Sequence, residues 1–139
     1  MNCRFCNEPL SNKFVDLINC PPSNSFLSVE QLNLPEPYYP LTIYACSKCH
    51  LVQVDEYKKA EEIFNSDYVY FSSYSTSWVK HALRYVEEMI ERFKYNENSS
   101  VIEIASNDGY LLQHFRDRGV PVLGIEPTQN TANVAILKG

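Results

Sequence analysis

The stretch from Val101 to Glu126 constrains this chain more than any other, because its order of elements leaves few folds open. A short apolar run, Val101–Ala105, meets a small polar turn, Ser106-Asn107-Asp108-Gly109. Leu111, Leu112 and Phe115 then fall on one side of a helix, and Gly119 is placed to stop it. A second apolar run, Val122–Ile125, ends on a carboxylate, Glu126. Strand, helix and strand in this order make a βαβ unit, the opening half of a nucleotide-binding α/β sheet.

The chemistry of that pattern narrows the ligand. A turn leaving a parallel strand brings backbone N–H groups close to whatever sits against it. A carboxylate at the end of the next strand, roughly 20 residues on, accepts hydrogen bonds from ribose hydroxyls. Glu126 stands 17 residues after Gly109 and is the candidate ribose partner. A dinucleotide would need the glycines of G-x-G-x-x-G so that its pyrophosphate can approach. This turn has a single glycine, with Asn107 able to take a left-handed backbone in place of another. Glu103 adds a carboxylate inside the first strand. Acidic groups here repel a diphosphate and suit a cation that carries a ribose. S-adenosylmethionine fits the pattern and NAD fits it poorly. The plain alternative is a Rossmann-like unit that holds no cofactor.

The N-terminal region has a different organisation. Cys3-Arg4-Phe5-Cys6 and Cys46-Ser47-Lys48-Cys49 are two C-x-x-C pairs, each able to offer two thiolates to one ion from a tight knuckle. Four thiolates close a tetrahedral zinc sphere and leave no open position for substrate, so the zinc expected here is structural. A stretch of 39 residues separates the pairs, against the ~15–20 of a compact zinc ribbon. Six of the eight prolines fall between Pro9 and Pro40, so the excess reads as an irregular excursion. Asn12–Ile18, Thr42–Ala45 and Leu51–Val54 read as strands around it. Cys20, before two prolines, reads as a plain thiol, and His50 as a bystander while four thiols are available. Five cysteines with no export signal point to metal binding in a reducing cytoplasm.

Between these regions lies Ser66-Asp67-Tyr68-Val69-Tyr70-Phe71-Ser72-Ser73-Tyr74-Ser75, with three tyrosines and four serines. Phenols and hydroxyls grip a sugar or polarise a carbonyl without fixed charge, while a packing strip under a helix is the bland alternative. Thr76–Lys94 follows as an amphipathic helix with Trp78, Ala82, Tyr85, Val86, Met89, Ile90 and Phe93 along one stripe, expected to pack on the sheet. His81 lies off that stripe, and Glu88 and Arg92 are spaced for an i,i+4 pair. Gln129–Leu137 reads as a closing helix. The expected organisation is a zinc-binding module over 1–55, a tyrosine/serine-rich link over 56–75, and the start of an α/β domain over 76–139. A net charge of −5 argues against nucleic acid as a partner, and no apolar run approaches the ~20 residues of a membrane span.

Taken together the motifs resemble the S-adenosylmethionine-dependent C-methyltransferases of nucleotide-linked keto-deoxysugars. The resemblance rests on Cys3-x-x-Cys6 with Cys46-x-x-Cys49, Pro40-Leu41 before the second pair, Tyr68-Val69-Tyr70-Phe71-Ser72-Ser73-Tyr74-Ser75, and Glu103-Ile104-Ala105-Ser106-Asn107-Asp108-Gly109. It implies an α/β fold: an N-terminal zinc-ribbon-like module followed by the first part of a Rossmann-like, class I methyltransferase domain. It places the methyl donor against Glu103, Ala105, Asn107, Gly109 and Glu126. Tyr70, with Tyr68 as the lesser choice, becomes the catalytic phenol, and Ser72 and Ser73 line the sugar site. Family members are much longer, and their histidine base is expected beyond Gly139. The chain therefore reads as the N-terminal part of an enzyme, inactive alone, whose exposed sheet edges favour self-association. Two rivals remain at this stage: a zinc-ribbon binding module for protein or nucleic acid, and a dinucleotide-dependent sugar oxidoreductase.

Overall fold

Alternating β-branched and aromatic residues on either side of the proline-rich excursion build the first sheet. In the computed structural model, which describes residues Met1–Gly139, the strands are Lys13–Cys20 (β1), Tyr39–Ala45 (β2) and Val52–Val54 (β3). They pair antiparallel in the order β1-β2-β3. The β1–β2 register slips between Asp16 and Asn19, where Ile18 takes a φ of 66° and its N–H donates to Asp16 Oδ1 at 2.9 Å. Inside the excursion, Val29–Asn33 forms one 3-10 helix, with the Ser28 N–H donating to Gln31 Oε1 at 2.8 Å. Among residues 1–63 only Cys3, Cys46 and Gln53 are buried. The core of this unit is its cysteine cluster.

The chain divides between Ile63 and Phe64, just after a short helix, Ala60–Ile63 (α1). This falls inside the segment expected to be a link, and the tyrosine/serine stretch lies wholly in the second unit. There Ser72–Tyr74 winds into a 3-10 turn. Thr76–Phe93 (α2) starts at Ser75, whose Oγ accepts the Trp78 N–H at 3.3 Å, and ends at Lys94 in a left-handed cap. Val101–Ile104 (β4), Leu112–Arg116 (α3) and Val122–Ile125 (β5) form the expected βαβ unit, and Gln129–Lys138 (α4) closes the chain. The two strands are parallel, with Val101 opposite Val122 and Ile104 opposite Ile125. Gly119 ends the turn after α3 at a φ of +74°, and its N–H donates to the Arg116 carbonyl at 2.9 Å.

Val86, Phe115 and Val120 form the core of this unit, with Met89, Ile90, Tyr95, Leu111, Val101 and Val122 packed around them. The helical stripe is only partly used, which corrects the expectation. Ala82 and Val86 are buried, whereas Trp78, Tyr85 and Phe93 remain about half exposed. Helix α2 meets α3 and the 3-10 turn, and only its middle, at Val86, joins the core shared with the strand residues Val101 and Val122. The strand face opposite the helices is bare, and Ile102, Ile104, Leu123 and Ile125 are each at least 50% exposed. Arg92 lies over the Phe93 ring, and the pair expected between Glu88 and Arg92 is replaced by Glu87 with Arg118 at 2.5 Å. No helix is long and apolar enough to cross a membrane.

Candidate metal centre and ligand-binding turn

Each C-x-x-C pair sits in a knuckle that closes on itself. In the first, the Asn7 N–H donates to the Cys3 carbonyl at 2.9 Å and the Cys3 N–H to the Glu8 carbonyl at 2.8 Å. In the second, His50 bonds the Cys46 carbonyl and Cys46 bonds Leu51, both at 3.0 Å. Asn7 and His50 occupy the same place, immediately after the second cysteine, with left-handed φ values of 60° and 62°. The exposed His50 therefore shapes a turn.

The four sulfurs lie within 4.8 Å of one another, with Cys3–Cys49 and Cys6–Cys46 at 3.6 Å. A zinc ion bound at ~2.3 Å to four tetrahedral thiolates would separate them by about 3.8 Å, so the donor set fits zinc in number, type and spacing. Cys20 is outside the cluster and donates to the Pro21 carbonyl. The electrostatics ask for a cation. The Cys6 backbone and the Gln53 amide draw the Cys3 thiol down to about 6. At Cys49 the Leu51 backbone bond also lowers, but burial and the three neighbouring sulfurs outweigh it and push the thiol up to about 12. Crowded thiols cannot all ionise without a shared positive ion. Gln53 is a supporting residue the sequence did not reveal. Its Nε2 donates to Cys3 Sγ at 3.3 Å and its Oε1 accepts the Arg4 N–H at 3.0 Å.

In the second unit the polar turn and the end of β5 meet. Glu126 Oε2 accepts the Asn107 N–H at 2.9 Å, and Oε1 accepts the Thr128 N–H at 2.9 Å. Ala105, Asn107 and Gly109 all have positive φ, at 61°, 51° and 76°. Asn107 and Gly109 take this form readily, but an alanine there carries strain of roughly 1–2 kcal/mol. The turn thus adopts at three alternate positions a backbone that glycine would favour. Having only one glycine consequently bears on a dinucleotide through close approach, not through backbone conformation. A cavity of about 310 Å³ between α3, β5 and α4 reaches the turn at Ser106, Gly109 and Glu126.

The tyrosine/serine segment is tied to the same turn by its backbone. Asn107 bonds the Tyr70 carbonyl and the Ser72 N–H, and Asp108 Oδ2 accepts the Ser73 N–H at 3.3 Å. Lys138, from the end of α4, donates to Ser73 Oγ at 2.7 Å and to Asp108 Oδ2 at 3.1 Å. Asn130 holds the Tyr68 carbonyl at 2.6 Å. The Tyr68 ring lies against Phe64, and burial, then the nearby Glu126 charge, raises its phenol. Tyr70 is half exposed. His81 stacks on Trp78 at 5.3 Å, and Trp78 in turn stacks on Tyr110, just after the turn. Glu103 lies on the helix-facing side of β4, where burial lifts its carboxyl to about 7 and leaves Oε2 without a partner.

Two comparisons bear on this arrangement. Residues 3–64 match the model of a family described as "Putative zinc binding domain". Over 137 residues the chain is 28% identical to the C-methyltransferase NovU of Streptomyces niveus, covering 99% of this chain and 32% of that protein. The chain thus spans about a third of the length of the curated relative it matches. Together these findings liken residues 3–64 to a zinc-binding domain family, and nearly the whole chain to a C-methyltransferase over about a third of that protein's length.

Proposed function

We propose that the chain is the N-terminal part of an S-adenosylmethionine-dependent C-methyltransferase acting on a nucleotide-linked keto-deoxysugar in the cytoplasm. The observation that carries this reading is the joining of the turn to Glu126 through the Asn107 N–H. Each oxygen of Glu126 accepts one backbone bond and keeps a lone pair, which suits two ribose hydroxyls. The adjoining cavity is at the lower end of small-molecule sites in size and has Leu112, Val122 and Ala135 among its walls. The Glu126 carboxylate at the edge of the cavity favours a cation over a diphosphate. Bound S-adenosylmethionine would supply a sulfonium methyl to a carbon nucleophile.

In this reading Glu126, Ala105, Asn107 and Gly109 hold the donor, and Glu103 stands in the strand that leads into the turn. Tyr70 presents a phenol to the acceptor's ketone oxygen and steadies the negative charge that appears there when the neighbouring carbon loses its proton. Ser72 and Ser73 line the sugar side. The zinc module is structural. Calorimetric titration of the zinc-loaded chain with S-adenosylhomocysteine and, separately, NADH tests the assignment. Heat with the former alone is expected; heat with NADH alone would move the protein to the oxidoreductases, and heat with neither would favour a binding module. In the active enzyme, Tyr70→Phe is expected to lower turnover about 100-fold; unaltered kinetics would remove Tyr70 from the site.

A further inference from the structure

Residues 70–73 and 105–108 are distant in sequence, yet two consecutive turn side chains join them. Asn107 uses both ends of its carboxamide: Oδ1 accepts the Ser72 N–H at 2.8 Å, and Nδ2 donates to the Tyr70 carbonyl at 3.0 Å. Its own N–H goes to Glu126 at 2.9 Å, from a backbone with a φ of 51°. Ser72 is 6% exposed and Asn107 7%, so water does not compete for these bonds. One residue therefore touches the carboxylate and the tyrosine-bearing segment at once. Glycine would supply the φ without the amide; aspartate would supply the φ and the acceptor without the donor.

We infer that Asn107 is a positioning residue that couples occupation of Glu126 by a hydroxylated ligand to the ordering of Tyr70–Ser73. This rests on the reading of Glu126 as the ribose carboxylate. Ligand hydroxyls on Glu126 fix the carboxylate, the carboxylate fixes the Asn107 backbone, and the Asn107 amide fixes the register of the segment. The side chain that the family resemblance would give to the donor is thus committed to the acceptor side, and only its backbone faces the donor. Opening of the segment then becomes rarer when ligand is present, which amide exchange reads directly.

The test is hydrogen–deuterium exchange, resolved by NMR, on the zinc-loaded chain with and without saturating S-adenosylhomocysteine. In the wild type the ligand is expected to slow Ser72 exchange about fivefold. In Asn107→Gly, ligand-free Ser72 exchange is expected to be about tenfold faster, as loss of one buried hydrogen bond implies, and ligand no longer slows it. Asn107→Asp, which keeps the acceptor, returns ligand-free Ser72 exchange toward wild type. The Val86 amide in the core checks that each variant is folded. Equal ligand-free Ser72 exchange in wild type and Asn107→Gly overturns the clamp, and ligand-induced slowing that persists in Asn107→Gly overturns the coupling. Absence of any calorimetric heat with the wild type removes the coupling together with the cofactor reading, and the ligand-free comparison then decides the clamp by itself.

Discussion

Stripping zinc from the four-thiolate centre is expected to unfold residues 1–63, and the size of the effect follows from how little else holds them. Only Cys3, Cys46 and Gln53 are buried there, while Phe5, Phe14, Ile18, Phe26 and Val29 are each more than two-thirds exposed. A unit of this length ordinarily has about 3–9 kcal/mol of stability in total, at 0.05–0.15 kcal/mol per residue. Zinc held by four thiolates contributes about 10–16 kcal/mol, because the site does not exist in the unfolded chain. The metal contribution exceeds the whole, so the metal-free unit has no margin. Two of the sulfur pairs, at 3.6 Å, are already within a few tenths of an ångström of tetrahedral spacing, and all four lie within 4.8 Å. Chelation should therefore abolish amide protection along β1 and β2 in step with zinc release, measured by NMR exchange and elemental analysis of one sample. Protection that survives complete removal of the metal would refute the reasoning.

Gln53→Ala removes the donor to Cys3 and the acceptor for Arg4, and should weaken zinc binding about 10–100-fold in competition with a chromogenic chelator. Glu103 is raised from 4.5 to about 7 by burial, so between those values the folded unit keeps a proton that the unfolded chain has lost. Stability is accordingly full below pH 4.5 and falls as pH rises through 7, by about 1–2 kcal/mol once solvent screening is allowed for. Denaturant melts at pH 5 and 8 measure this, and Glu103→Gln should flatten the slope. Glu126→Ala leaves two buried N–H groups without an acceptor and should destabilise the second unit by about 1–3 kcal/mol while abolishing S-adenosylhomocysteine binding, read by thermal melts and calorimetry. Ile104→Lys with Leu123→Lys should reduce concentration-dependent association in sedimentation, since both residues lie on the bare strand face.

Spacing made much of this legible. Two knuckles, a long amphipathic helix and a strand–turn–helix–strand order all follow from local periodicity, and the element boundaries differ by only a few residues. What escaped was set by partners remote in sequence. Leu51–Val54 reads as a strand, but nothing local says which side is inner, and it is Gln53 that is buried while both valines are exposed. The inner side of β3 faces sulfur rather than hydrocarbon, which inverts the usual alternation. Ala105 gave no hint of a left-handed backbone, because nothing in an alanine asks for one. The tyrosine/serine segment was read for its side chains, whereas its anchoring to the turn runs through the backbone at Tyr70, Ser72 and Ser73, with a Lys138 bond to the Ser73 hydroxyl besides. Composition carries no record of which carbonyl an asparagine will find.

The two knuckles have a consequence for how such a module can change. Each half-site is closed by contacts within its own few residues, with its own hydrogen-bonded return and its own left-handed residue. The metal joins two corners that make no demand on the chain between them. Lengthening the chain between them costs little, about 0.6 kcal/mol for each doubling. The excursion between β1 and β2, residues 21–38, is therefore the place where insertions and deletions can accumulate while the ion stays put.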